Sequence, residues 1–228
     1  MVYTYAIPDV HGRLDLLDSA LVRIADHTGG RQATLVLLGD YIDRGPAGRQ
    51  VIERLIGFQS ETLKLVALKG NHEAMMLEAC CRRVELNWWL ANGGDATLAS
   101  YRESFSNPGI LTDVVPRSHL QWISNLAVMH VDRHRVYVHA AVDPALPLKQ
   151  QTERILLWKV YPEGYCKGHG RRHVVHGHHA NARGPIVTRG KTNLDSLAWK
   201  TGRLVVGVFN DEQAGGASDY LEIFGQPA

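Results

Sequence analysis

Short apolar runs rich in β-branched and aromatic residues recur along the first third of the chain, and each stops at a cluster of Gly, Asp, Asn or His. Runs of that length bounded by turn residues predict buried strands that end in loops. Residues 2–7 run into Pro8-Asp9-Val10-His11-Gly12, after which 14–25 carries Leu and Ile at helical spacing. Residues 34–38 break at Gly39-Asp40-Tyr41-Ile42-Asp43-Arg44-Gly45-Pro46, and 48–56 again has a helical period. Residues 63–68 break at Gly70-Asn71-His72-Glu73, with a helix predicted over 74–84. Strand, polar loop and helix three times over predicts parallel βαβ units, because parallel neighbours need a crossover of that length. The polar strand ends then converge on one sheet edge, where ligands bind in α/β folds. Further on, Trp88, Trp89, Asn92-Gly93-Gly94 and Trp122 mark short helices, expected to form a cap around 87–125. Trp88, Trp89 and Leu90 are expected to pack that cap onto the core, and Asn92-Gly93-Gly94 to end its helix. Strand-like runs at 135–139, 172–176, 186–188 and 204–209 predict a second sheet packed on the first. With no internal repeat and no linker, a single domain over 1–228 is expected.

Composition narrows the partners. The 228 residues are 45% hydrophobic, enough for one substantial core. Lys and Arg number 25 against 23 Asp and Glu, and a net charge of +2 supplies no long-range field for nucleic acid or a membrane surface. Any phosphate affinity must therefore be local. Three Cys, two of them adjacent at Cys80 and Cys81, make no disulfide framework and fit a reducing compartment. The N-terminus lacks the pattern of a signal peptide and no window reaches membrane-span length, so a cytoplasmic location is expected. Oligomeric state is not fixed by any of this.

The 12 His residues are the compositional oddity, and several stand beside Gly, Asp or Asn. Three loops offer Asp9 and His11; Asp40, Asp43 and Arg44; and Asn71 and His72. Later strand ends add His139 and the run His176-Gly177-His178-His179. Mixed nitrogen and oxygen ligands suit Mn, Fe or Zn more than Ca or Mg. One Asp shared between two cations would hold them about 3.5–4 Å apart, the separation used by two-metal hydrolases.

Asp9-Val-His11-Gly, Gly39-Asp40-Tyr-Ile-Asp43-Arg44-Gly and Gly70-Asn71-His72-Glu73 resemble the three signature blocks of the phosphoprotein phosphatase family of calcineurin-like metallophosphoesterases. Val138-His139-Ala140 and His176-Gly177-His178 resemble its two later metal-binding segments. Trp88 to Gly94 and Leu156-Leu157-Trp158 resemble segments of bacterial members, which include serine/threonine protein phosphatases and symmetrical diadenosine tetraphosphatases. The resemblance implies an α/β sandwich of two mixed β-sheets flanked by helices. It implies two divalent metal ions, Mn first and Fe or Zn as alternatives, one on Asp9, His11 and Asp40 and the other on Asp40, Asn71, His139 and His178. A metal-bridging hydroxide would attack phosphorus directly and hydrolyse a phosphomonoester. Arg44, with Asn71, would bind the phosphate through its planar fork. His72, oriented by Asp43, would protonate the leaving oxygen.

Three positions depart from the family pattern. Pro8 and Ala141 stand where Gly is usual, which is expected to be tolerated. The phosphate-binding Arg usual after the Leu-Trp segment is missing, with Lys159, Lys167, Arg171 and Arg172 as possible substitutes. Alternation on an extended segment puts His176 and His178 on one face and His179 on the other. Resemblance selects His178 as ligand, with His176 the alternative. His169 and His173 are expected in a solvated basic loop. Cys166 to Arg172 has the Cys-to-Arg spacing of a thiol-based phosphatase loop, but a strand follows in place of the required helix. A non-catalytic metal-binding module would have no use for Asp43, Arg44 and His72 together. The expected substrate is a phosphorylated protein, at phosphoserine or phosphothreonine, or else a small phosphate ester, with a dinucleoside tetraphosphate as the alternative.

Overall fold

The computed structural model describes residues 2–81, 86–102 and 114–227. Strands β1 (Tyr3–Ile7), β2 (Ala33–Leu37) and β3 (Leu63–Ala67) lie parallel and adjacent, in register Tyr3 to Ala33 to Leu63. The crossovers are helices α1 (Leu14–Thr28) and α2 (Gly48–Ile56). Each buries one apolar stripe, Leu17, Ala20, Leu21 and Ile24 on α1 and Val51, Ile52 and Leu55 on α2. Helix α3 (Asn71–Cys81) follows β3. It starts three residues before the expected 74, and residues 82–85, including the predicted end of that helix, lie outside the described residues.

The second sheet has the order β4-β5-β6-β8-β7, built from β4 (Met129–Val131), β5 (Arg135–Val138), β6 (His173–His176), β7 (Ile186–Val187) and β8 (Lys191–Asn193). Both sheets are mixed, as predicted, but the run at 204–209 belongs to the first. It forms β9 (Arg203–Asn210), antiparallel to β1, with β10 (Asp219–Phe224) outside it. Leu204 to Asn210 are all buried, and a strand buried on both faces needs a sheet interior with cover on two sides, which the place beside β1 provides. Edge strand β10 shows the alternation of a half-exposed strand.

Ala6, Val36, Tyr137, Val175 and Phe209 form the apolar seam between the sheets. Tyr5, Ile7, Leu35 and Leu37 face the other way, onto the helices. The outer face of the second sheet, Val136, Val138 and Val174, is covered by Leu156 of α7 (Glu153–Trp158).

Helix α4 (Leu86–Trp89) runs on through a wider turn over Leu90–Gly94 and breaks at Gly93, whose φ of 103° is not helical, where Asn92-Gly93-Gly94 is expected to end it; a second helix, α5 (Asp95–Arg102), begins directly after the break. Part of the predicted cap, 103–113, lies outside the described residues. Helix α6 (Arg117–Ser124) and the short α8 (Ala198–Thr201) complete the helices. Among the described residues no helix is long and apolar enough to cross a membrane.

Candidate active site

Six non-glycine residues among those described have positive φ: His11 (45°), Asp40 (55°), Asp43 (70°), Arg44 (68°), His178 (64°) and Leu197 (58°). Five of the six are candidates named from sequence. Such conformations cost roughly 1–3 kcal/mol each and persist where the surroundings fix them. The fixing is visible at the strand ends. Val10 and His11 both donate their amides to the Asp40 carbonyl, at 3.0 and 2.9 Å, lacing the first loop to the second. A Cβ on Gly70 would lie 2.1 Å from Asp40 Oδ1, and one on Gly177 2.2 Å from Asp9 Oδ1, so both glycines are required by close approach.

Glu73 ties the loops from below. Its buried carboxylate accepts from the amides of Asp40 (2.8 Å), Tyr41 (2.8 Å) and Gly70 (2.9 Å). Burial pushes its pKa up to about 7, against those three donors.

The Asp40 carboxylate lies between two donor groups. His11, Asp40 and His72 each bring a ligand atom within 4.8 Å of the others, and so do Asp40, His139 and His178. Oδ2 of Asp40 is 3.5 Å from His11 Nε2, and Oδ1 is 3.5 Å from His139 Nε2. Asn71 Oδ1 joins the second group, 2.7 Å from His139 Nε2 and 3.0 Å from His178 Nδ1. Asn71 and His72 sit in the first turn of α3, not on the loop before it. Asp9 is placed differently. Its carboxylate accepts the His178 amide and shares a hydrogen bond with Asp195. Burial, then the neighbouring carboxylates of Asp195 and Asp40, raise its pKa well above the usual range.

This donor set fits cations. Both ring nitrogens of His139 face oxygens, Nδ1 the Leu38 carbonyl at 2.9 Å and Nε2 the Asn71 amide oxygen at 2.7 Å. A neutral imidazole has one N–H, so one of these contacts opposes two lone pairs. Adding a proton is disfavoured, because burial, with His178 second, holds His139 well below its ordinary pKa. A metal ion accepts both lone pairs at once. Burial and then Glu73 likewise raise Asp40, leaving carboxylates in excess of buried positive charge.

Beside this cluster Asp43 and His72 form a buried pair, Oδ2 to Nδ1 at 2.6 Å. Trp89 Nε1 donates to the same oxygen at 2.8 Å and Thr97 Oγ1 to the other at 2.7 Å. Arg44 donates to His11 Nε2 at 2.9 Å and to His72 Nε2 at 3.1 Å, with its guanidinium 5.6 Å from the Trp199 ring centroid. The Gly93 carbonyl accepts the Arg44 amide at 3.0 Å, which accounts for the kink that carries it there.

The sequence profile described as calcineurin-like phosphoesterase matches residues 3–209. The chain belongs to that family. Among curated relatives, serine/threonine-protein phosphatase 2 of Escherichia coli K12 is 39% identical over 93 residues, 41% of this chain and 39% of that protein. A symmetrical bis(5'-nucleosyl)-tetraphosphatase of Pseudomonas syringae pv. syringae is 30% identical over 148 residues, 64% of this chain and 44% of that protein. The matched stretches therefore span less than half the length of either relative. A solved candidate diadenosine tetraphosphatase shares the fold at a TM-score of 0.67 and 19% identity, covering 98% of this chain and 94% of that one.

Other expectations for this calcineurin-like chain need correction. Strand alternation stops at His176, and the left-handed conformation of His178 turns its side chain independently. His176 is buried with Nδ1 2.9 Å from the Gly177 carbonyl, outside both donor groups. His173 is no solvated loop residue: it lies buried in β6 with Nε2 2.8 Å from Thr192 Oγ1, and burial lowers its pKa to about 4. His169 Nε2 is bound to the Leu146 carbonyl at 2.9 Å. Cys166 is exposed in a loop that leads through a tight bridge, His169 to Arg172, into β6. Trp89 does more than pack, since its indole N–H reaches Asp43. Glu73, Asp195, Thr97 and Trp199 were not singled out from sequence. Of these only Glu73 had a local signal, an acid three residues after Gly70 at a helix start.

Proposed function

We propose that this chain is a metal-dependent hydrolase that cleaves a dinucleoside tetraphosphate symmetrically, releasing two nucleoside diphosphates. The observation that carries the phosphoesterase reading is the meeting of two donor groups on the Asp40 carboxylate. Asp9, His11 and Asp40 would hold one divalent ion, and Asp40, Asn71, His139 and His178 the other. Mixed imidazole, amide and carboxylate donors favour Mn, Fe or Zn. Bound there, the ions supply a water acidic enough to ionise near neutral pH.

The chain's own groups do the remaining work. Arg44 spans two oxygens of the scissile phosphate, a geometry its planar fork matches. His72, held through Nδ1–H by Asp43, would act as the imidazolium, its Nε2–H directed at the leaving oxygen to stabilise charge there and, where the leaving oxygen is basic, to give it the proton. Attack of water on phosphorus breaks one P–O–P bridge, and the bridging oxygen leaves with a nucleoside diphosphate. Two features support the nucleotide substrate. Similarity to the Pseudomonas tetraphosphatase runs over 64% of the chain. Trp88, 47% exposed, stacks on Trp158 at 5.5 Å and adjoins the tryptophan that holds Asp43, giving a base an aromatic surface beside the site.

A second reading, protein phosphoserine or phosphothreonine hydrolysis, draws on the Asp43 and His72 pair, because an alkoxide needs a proton more than a diphosphate does. Manganese-loaded protein should be incubated in parallel with diadenosine tetraphosphate and a phosphopeptide panel, and the products separated by anion exchange. ADP as the sole nucleotide product is expected, with turnover lost to chelator and restored by Mn. Phosphate release from peptides alone would favour the second reading. Failure to turn over either substrate at full metal content would end both.

A further inference from the structure

No arginine stands in the dozen residues after Leu156-Leu157-Trp158, and the nearest cation, Lys159, is tied to Asp143 at 2.6 Å. Lys167, Arg171 and Arg172 line a separate cavity that contains none of the Asp40 donor groups. A different cation lines a cavity that reaches His178. Lys191, the first residue of β8, is only 8% exposed, and its ammonium sits 5.1 Å from the centroid of the Tyr161 ring. Among the described residues no carboxylate pairs with it. With His178, His179, Asn181 and Asn193 it lines a cavity of about 390 Å³. His178 also belongs to the second donor group around Asp40, so this cavity adjoins the proposed reaction centre.

An ammonium that opens on a cavity and meets an aromatic ring, with no carboxylate beside it, is available to an anion that enters. The polar groups beside it, the Asn181 and Asn193 amides and the His179 ring, bring no negative charge that would compete for it. Phosphate suits a compact point charge at the end of a flexible stem. A cavity this close to His178 is reached by phosphates one or two bridges away from the scissile one, whereas a monoester would place there only its alcohol.

We propose that Lys191 binds the phosphates beyond the scissile one, which makes the cavity beside His178 a subsite for the leaving part of a polyphosphate chain. The inference rests on the phosphoesterase reading of the Asp40 cluster and narrows its substrate to the polyphosphate class. The test uses full-length manganese-loaded protein, with Lys191→Met and Lys191→Arg beside the parent. Pyrophosphate binding is measured by calorimetry and by inhibition of p-nitrophenyl phosphate hydrolysis. KM and kcat are measured for diadenosine tetraphosphate, and metal content and melting temperature serve as folding controls.

Lys191→Met is expected to weaken pyrophosphate binding about 10- to 100-fold, the range for a lost charge-assisted contact. KM for the tetraphosphate should rise by a similar factor with kcat moved far less, p-nitrophenyl phosphate should be affected much more weakly, and Lys191→Arg should restore most of the loss. Unchanged pyrophosphate binding in Lys191→Met overturns the inference. So does an equal loss on the single-phosphate ester, which marks a structural role. A parent protein that ignores the tetraphosphate yet binds pyrophosphate through Lys191 would defeat the nucleotide reading and support the subsite.

Discussion

Asp43 accepts three side-chain donors, His72 Nδ1, Trp89 Nε1 and Thr97 Oγ1, while holding a φ of 70°. Burial pushes its pKa up to about 7, and the bonds from Thr97 and Trp89 work in the opposite sense. The arrangement keeps His72 in one orientation, with Nε2 turned to the Arg44 guanidinium at 3.1 Å, a contact it would exchange for the leaving oxygen in the proposed reaction. That role depends on how basic the leaving oxygen is. A serine alkoxide departs poorly without a proton, whereas a nucleoside diphosphate departs as a weakly basic oxyanion. His72→Asn should therefore lower kcat on an alkyl phosphate ester by about 10²–10⁴, the usual worth of general acid catalysis, and lower it much less on diadenosine tetraphosphate. Steady-state kinetics on both, with metal analysis, checks this. Equal losses on the two substrates, or loss of bound metal, would remove His72 from the acid role.

At the scale of elements, the start of α3 decides how the second and third loops meet. Asn71 and His72 enter the site from the first helical turn, and Glu73 in the same turn accepts the amides of Asp40, Tyr41 and Gly70. An anionic side chain is favoured there by the helix dipole as well. Glu73→Gln keeps the shape but turns an N–H₂ group towards amide N–H donors, whichever way the amide is oriented. Leaving a buried donor unsatisfied costs about 1–3 kcal/mol. The variant should lose about that much stability in urea unfolding and bind metal more weakly, and a variant as stable as the parent would remove Glu73 from this role. The same helix shows where sequence reasoning stops. Strands β1 to β3 were legible because apolar runs ending in Gly, Asp or Asn carry a local signal. The start of α3 at Asn71 was hidden because Asn-His reads as loop until Glu73 is seen to bond back. The place of β9 was hidden because pairing with β1 joins residues some 200 positions apart, Tyr3 with Asn210, and nothing local to 204–209 records it. Asp195 and Lys191 carry no local signal for the same reason, since Asp195 meets Asp9, and Lys191 the Tyr161 ring, only through the fold.

At the scale of the molecule, the candidate centre bridges the two sheets. Asp9 and Asp40 follow β1 and β2 of the first, while His139 and His178 follow β5 and β6 of the second. His139 Nδ1 already reaches across to the Leu38 carbonyl at 2.9 Å. The seam above the apolar core brings Asp9, Asp40 and Asp195 together at 2%, 2% and 4% exposure, where burial and mutual proximity disfavour their ionised forms and so oppose the packing of sheet on sheet at neutral pH unless cations offset the charge. Metal binding should therefore act on global stability and not only on catalysis. A ligand that binds the folded chain alone stabilises it by RT ln(1 + [L]/Kd), about 2.7 kcal/mol at a hundredfold excess over Kd. Calorimetric melting of metal-stripped protein against increasing Mn should show a rising melting temperature, with bound metal approaching two ions per chain. Asp40→Asn should blunt the rise for both ions, since its carboxylate is common to the two donor groups, whereas His139→Ala should blunt it for one. A melting temperature indifferent to Mn, or one ion bound in the parent, would mean that the sheets are not joined through a shared carboxylate.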